Sequence, residues 1–409
     1  MRRKIAYLMV VALVAMVFSA VPMSVSATWT GDVTILSDGT VVPADAPIHV
    51  NGMKYTLTDD ILGSITIQMS SITLDGAGHT LEGTGLGYGI FLFGLSGITI
   101  KDFIVKNYDI GIITVFCDTS TIKENEVSDC YNAGIHLYGS NDNTIKENKL
   151  HNNFWEGIWL EESSNNIIKD NEAWKNGEAG IWLWYWCDNN VIKDNNLHEN
   201  GDPTWGAGVF LMYYCDNNLI RDNDASNKNG VGIALWGSDE NTVSENTISR
   251  NLVGGVYVYF CTGGNIITKN TISNNYAFGQ NGIRLWSSSG TIVSQNTISG
   301  SYGGLLIYKN PEGTSNLITE NTIRNNYKGI QLSYDSYDNQ IHHNNFMNND
   351  IQAQDHGIGN LFDDGSEGNF WSDYKGKDND KDGIGDTPYL TEGAAGSQDN
   401  CPLMKPWNW

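Results

Sequence analysis

The chain has 409 residues, with 24 Lys and Arg against 47 Asp and Glu, and with 45 glycines but only eight prolines. Such an acid excess repels nucleic acid and anionic lipid, which excludes both as partners. Abundant Gly and Asn with sparse charge point to a repeat architecture rather than to two or three ordinary domains.

Arg2, Arg3 and Lys4, the apolar run Ile5 to Ala20 and the small residues of Val25-Ser26-Ala27 read as a secretory signal peptide over 1–27. The run is short for a membrane anchor, and no further span follows. The signal holds three of the 24 basic residues and none of the acids, so the mature chain carries 21 against 47, a net charge of −26. A secreted or cell-surface protein is expected. Disulfides are allowed in that setting. The six cysteines show no CxxC or Cys/His metal spacing.

Residues 28–63 are expected to cap the N-terminal end, since an open terminal coil invites edge pairing. Short β-rich runs follow, among them Ser71-Ile72-Thr73-Leu74-Asp75-Gly76 and Gly97-Ile98-Thr99-Ile100-Lys101-Asp102. From residue 64 to residue 353 the chain repeats. A Gly followed by alternating residues recurs at Gly111, Gly134, Gly157, Gly180, Gly208, Gly232, Gly255, Gly282, Gly304 and Gly329. A second mark follows, as Asn-Thr-Ile-Lys-Glu-Asn at 143–148, Asn-Val-Ile-Lys-Asp-Asn at 190–195 and Asn-Gln-Ile-His-His-Asn at 339–344. At one copy Gly290 stands where the first Asn is expected. The first and third residues after each Gly are aliphatic, as in Ile181 and Leu183. Period-two alternation puts them on one side of a short strand, and stacked coils complete one another's core. Asn suits the corners, where amides stack from coil to coil and a left-handed backbone is tolerated. The pattern predicts an all-β, right-handed parallel β-helix with coils of roughly 23 residues. At a strand spacing of about 4.8 Å, ten coils make a rod on the order of 50 Å long.

The second and fourth residues after each Gly should point outward. One column contains His136, Trp159, Trp182, Phe210, Tyr257 and Arg284. The other contains Tyr138, Glu161, Trp184, Met212, Trp236, Tyr259, Trp286 and Tyr308. An aromatic stripe along a rod suits an extended polysaccharide, whose sugar rings stack on Trp and Tyr. A covering C-terminal segment, self-association through the stripe, another protein partner or plain β-propensity would explain it too. Glu161, Glu178 and His136 are the candidate catalytic groups, since paired carboxylates beside an aromatic floor serve glycoside hydrolysis or uronate lyase and epimerase chemistry. Cys187 and Cys215 share a column in adjacent coils, so a cross-coil disulfide and a thiol ladder both fit.

Residues 354–409 form a C-terminal cap. In it Asp378, Asp380 and Asp382 alternate, a backbone carbonyl is due at Ile384, and Asp386 follows. That spacing fits a Ca²⁺ loop, although Tyr389 replaces the closing Glu. Asp373 or Asp399 would then have to contribute.

The Asn-Thr-Ile-Lys-Glu-Asn repeats resemble the NosD-type β-helix family, whose domains are also described as carbohydrate-binding and sugar-hydrolysis repeats. So do Leu74-Asp75-Gly76-Ala77-Gly78-His79-Thr80-Leu81 and the tail Gly368-Asn369-Phe370-Trp371-Ser372-Asp373-Tyr374 with Asp399-Asn400-Cys401-Pro402-Leu403-Met404. The likeness covers about residues 50 to 406 and is greatest to archaeal secreted members. It implies a right-handed parallel β-helix. The family is named for periplasmic proteins that help assemble the copper centres of nitrous oxide reductase, so it also implies copper delivery. Met212, Cys187 and Cys215 are the soft ligands available for that role, and no His-rich or Met-rich motif accompanies them. The family brings no agreed catalytic residues, and polygalacturonase-like signatures are absent. A polysaccharide-binding β-helix is the reading, with copper delivery and a structural surface-layer or adhesion role as alternatives.

Overall fold

The computed structural model describes residues 28–201, 206–227, 229–275 and 279–408; the expected signal peptide over 1–27 lies outside them. Among the described residues there is no helix. Three long sheets of 15, 15 and 14 strands run the length of a parallel β-solenoid. One coil shows the pattern. Strands Thr144–Lys146 and Lys149–His151 belong to two narrow sheets, and Glu156–Glu161 belongs to the broad one. Each strand pairs in register with its equivalent in the next coil, Ile145 with Ile168 and Ile158 with Ile181. The aliphatic columns thus become continuous ladders filling one core, with Ile145, Leu150, Ile158 and Leu160 all fully buried.

The corners carry the expected amide ladder, and Asn152, Asn165, Asn189 and Asn217 hold left-handed positions. The left-handed position falls one residue before the ladder Asn, as also on Glu147, Asp170 and Asp194. The Asn itself is needed for its amide. From Asn125 to Asn369 each backbone N–H in the column donates to the Oδ1 of the next Asn at 2.9–3.0 Å. The side-chain NH₂ of Asn171 donates in turn to the Ile145 carbonyl and to Asn195. Polar groups that the corner would bury unpaired are thereby satisfied. In the parallel column Thr291, not Gly290, takes the Asn place, its N–H bonding to Asn316.

The repeating Gly answers to close approach rather than to unusual φ. A Cβ on Gly180 would stand 2.8 Å from the Gly208 carbonyl and 3.0 Å from the Asn200 amide. Both contacts are too tight for a side chain, so the column stays glycine.

Residues 28–63 already form coil. Val33–Ile35 pairs in parallel with Ile65–Ile67, and Trp29–Thr30 with Ile61–Leu62. Capping falls to two antiparallel additions, Val41–Val42 and Ile48–Asn51, which close the sheet ends. At the other end Ile351–Asp355 is the last broad strand, and Phe370–Trp371 extends a narrow sheet beside Asn345–Met347. Trp371 seals the core there, stacked on Phe346 at 4.5 Å and on Tyr389 at 4.2 Å.

Candidate functional site

On the outward face of the broad sheet, pairing brings the predicted columns together. His136, Trp159, Trp182, Phe210, Ala234, Tyr257 and Arg284 follow one another in one column. Tyr138, Glu161, Trp184, Met212, Trp236, Tyr259, Trp286 and Tyr308 follow in the other. Exposure corrects the picture of one open platform. In the first column His136 is 6 % exposed, Phe210 7 % and Tyr257 0 %. Phe210 and Tyr257 pack with Ala179, Ala207, Val231 and Ala234 into a second, smaller apolar cluster. This column is therefore mostly floor, with Trp159, Trp182 and Arg284 left partly exposed. The fourth-position column is the half-exposed edge, with Trp236, Tyr259, Trp286 and Tyr308 in a chain of ring contacts at 5.0–5.7 Å.

The turns just after these strands add aromatics that the sequence reading did not single out. Trp186 and Tyr214 are more than half exposed, and they stack at 6.4 Å beside Tyr185 and Tyr213 at 5.2 Å. All four have left-handed backbones, with φ of 50–61°. That conformation is costly for bulky residues and persists only where the surroundings impose it. The signal was available in spacing. Gly180 to Asn190 and Gly208 to Asn218 span ten residues, where Gly134 to Asn143 and Gly157 to Asn166 span nine.

Polar groups concentrate at the early end of the stripe. The His136 ring lies flat on Trp159, 3.9 Å between centroids and 3° between planes. Its Nε2 is 3.7 Å from Glu161, beyond hydrogen-bonding reach. Both His136 nitrogens are buried without a hydrogen-bond partner, as are Trp159 Nε1 and Trp182 Nε1. Burial holds the imidazole below its ordinary pKa, with Glu161 opposing. Glu156, which was not among the predicted catalytic groups, is 5 % exposed. Burial, reinforced by the charge of Glu178, pushes its pKa up to about 8. Glu178 itself lines an open groove of about 610 Å³ with Phe154, Trp155 and Lys175. A buried carboxyl with a partly exposed one near it is the kind of pair that acid and base roles use.

The predicted metal groups divide. Carboxylates of Asp378, Asp380 and Asp382 offer oxygens within 4.8 Å of one another. Asp386 is not in that group; its Oδ2 accepts the Asn379 backbone N–H at 2.8 Å, and Ile384 bridges to Leu403. Asp399 is fully buried and committed to the Asn369 and Cys401 N–H groups and to Trp371 Nε1, so it is no loop ligand. Burial raises its pKa to about 6. Cys187 and Cys215 are free thiols, as are the other four cysteines. Their side chains belong to the core, whereas Met212 lies on the outward face, so the three do not converge as a copper site. Two imidazoles and a carboxylate do converge at His342, His343 and Asp364.

Two family descriptions match this chain, "Right handed beta helix region" over residues 88–248 and "Periplasmic copper-binding protein (NosD)" over residues 206–376. The chain is a right-handed parallel β-helix. Among solved structures, a double mutant of the periplasmic alginate epimerase AlgG is similar at 16 % identity and TM-score 0.53, over 81 % of this chain and 84 % of that one. The A-module of the Azotobacter vinelandii mannuronan C-5 epimerase AlgE6 is similar at 17 % identity and TM-score 0.49, over 75 % and 88 %. At such identities the likeness concerns the fold. No curated protein sequence matches significantly. Among the described residues, no helix is long and apolar enough to cross a membrane.

Proposed function

We propose that this protein works outside the cytoplasm and binds a polysaccharide laid along the half-exposed edge of the broad sheet. The observation that carries the reading is the aromatic patch of Trp184 with the left-handed turn residues Tyr185, Trp186, Tyr213 and Tyr214, continued past Met212 by Trp236, Tyr259, Trp286 and Tyr308. Exposed aromatics held against backbone preference point to a surface kept for contact. The C-terminal tail does not compete for it, since its hydrogen bonds run to the last coil, at Asn339, Asn345 and Asp355. Arg284 gives the stripe a cation, with its guanidinium 4.5 Å over the Trp286 ring and its Nε buried without a partner. That position favours a uronate carboxylate over a neutral sugar. AlgG, whose fold this chain shares, is an epimerase of alginate, a polysaccharide. If the bound chain is also processed, Glu161 and His136, 3.7 Å apart, are the titratable groups at that edge, whereas Glu156 and Glu178 lie toward the other end of the strands.

The test is affinity electrophoresis against neutral and uronate-containing polysaccharides. Trp184→Ala and Trp186→Ala should weaken retention by about tenfold each, a loss of roughly 1.4 kcal/mol. Arg284→Gln should remove only the preference for uronates. If no polysaccharide retards the wild type, or if both Trp variants are retarded equally with it, the reading fails. A dimer that dissociates on the same substitutions would instead identify the stripe as an assembly face.

A further inference from the structure

The last corner of the left-handed column replaces the ion pair of the early coils with two histidines. In earlier coils the last strand residue and the left-handed residue after it form an ion pair. Lys123 lies 3.1 Å from Glu124, Lys146 3.5 Å from Glu147, Lys169 3.4 Å from Asp170 and Lys193 3.6 Å from Asp194. Consecutive strand residues point to opposite faces, and the left-handed residue cancels that alternation and brings the two side chains together. In the last coil the same two places hold His342 and His343, with His343 at φ 59°. Their Nδ1 atoms are 3.1 Å apart. A contact that in the early coils joins opposite charges here joins two nitrogen donors.

The C-terminal cap supplies acids to this corner. Glu367 lies 3.2 Å and Asp364 3.8 Å from His343 Nε2. That Nε2 is buried and makes no hydrogen bond. The Asp364 Oδ1 is fixed by the Ser366 N–H and hydroxyl and by the Glu367 N–H, at 2.7–2.8 Å, which leaves Oδ2 toward His343. His342, His343 and Asp364 each offer a ligand atom within 4.8 Å of the others. Trp407 covers the imidazole, stacked on His343 at 4.0 Å and held by reciprocal hydrogen bonds to Asn345.

We propose that His342, His343 and Asp364, with Glu367 beside them, bind a divalent transition ion of the zinc or copper class, and that the ion ties the C-terminal cap to the last coil. Mixed imidazole and carboxylate donors suit that class, whereas the all-oxygen loop at Asp378–Asp382 suits Ca²⁺. The two imidazoles belong to the solenoid and the two carboxylates to the cap, so a single ion would bridge them.

The experiment titrates the mature protein with ZnCl₂ and with CuCl₂ by calorimetry, and records the Cu²⁺ resonance spectrum. One equivalent should bind, with nitrogen hyperfine structure from imidazole. Binding should weaken at least ~100-fold in His343→Ala and in Asp364→Asn, more than outer residues of a metal site usually contribute. It should persist in Asp380→Ala. Asp364 lies at the surface, so its variant remains informative even if His343→Ala fails to fold. Zn²⁺ should also slow proteolysis beyond residue 364. Absence of saturable binding, or equal binding by wild type and Asp364→Asn, overturns the site. Stoichiometric binding that leaves the cleavage rate unchanged overturns the clamp.

Discussion

Glu156 opens its strand, where its neighbours leave it only 5 % exposed. Its pKa of about 8, against an ordinary 4.5, means that the folded state holds a proton the unfolded chain has lost. Below pH 4.5 both states are protonated and the residue costs nothing. As pH rises toward 8 the unfolded state gains the charge that burial denies to the fold, so stability falls, and the loss is complete above 8. Glu156→Gln should therefore melt with the wild type at pH 4 and above it at pH 8. Melting curves across that range check the claim, and a constant difference would remove the buried proton from the account. The sequence shows which residues share a face, because period two dictates it. It does not show that Phe210 and Tyr257 are buried, since they pack with Ala179, Ala207 and Val231 of neighbouring coils, nor that His136 lies flat on Trp159.

Among elements, the corner is the one whose chemistry is most fully expressed. Asn195 takes hydrogen bonds from the Asn171 N–H and amide and gives its own to Ile168, Lys193 and Asn223. Asn195→Ala should cost roughly 3 kcal/mol, because buried donors and acceptors in two coils lose partners at once. Chemical denaturation measures this, and a loss below ~1 kcal/mol would mean that water replaces the amide. Gly180→Val should be comparably harmful through overpacking, at ~1–3 kcal/mol. These columns were legible because every coil repeats them. The aromatic turns at Tyr185-Trp186 and Tyr213-Tyr214 were less so. They are departures from the repeat, and one added residue reads as noise until the left-handed backbone is seen. The histidine pair at 342–343 was likewise visible only as a variant of Lys-Glu, because its carboxylates come from a segment some twenty residues on.

Across the whole molecule, each coil touches only its neighbours, so the two ends decide how the rod begins to open. At the C-terminal end the acidic loop gives one handle. Ca²⁺ should bind at Asp378, Asp380 and Asp382 and raise the melting temperature, with both effects lost in Asp380→Ala. Calorimetry with unchanged heat in that variant would discard the loop as a site. The fold was readable along the body of the chain, where the repeat states itself. The caps were not, because Trp371, Asp399 and Asp355 act through contacts that occur once.

The buried cysteines give the rod a built-in gauge. Cys117, Cys130, Cys187, Cys215 and Cys261 are at most 1 % exposed, and only Cys401 is partly accessible. Burial also pushes Cys130 and Cys261 up to about 12, which withholds the reactive thiolate. A thiol reagent should therefore label one cysteine in the native protein and six in denaturant. Because the five hidden thiols are spread from early coils to late ones, the order in which they become reactive reports which end unzips first. If all five react together, the solenoid opens as one unit.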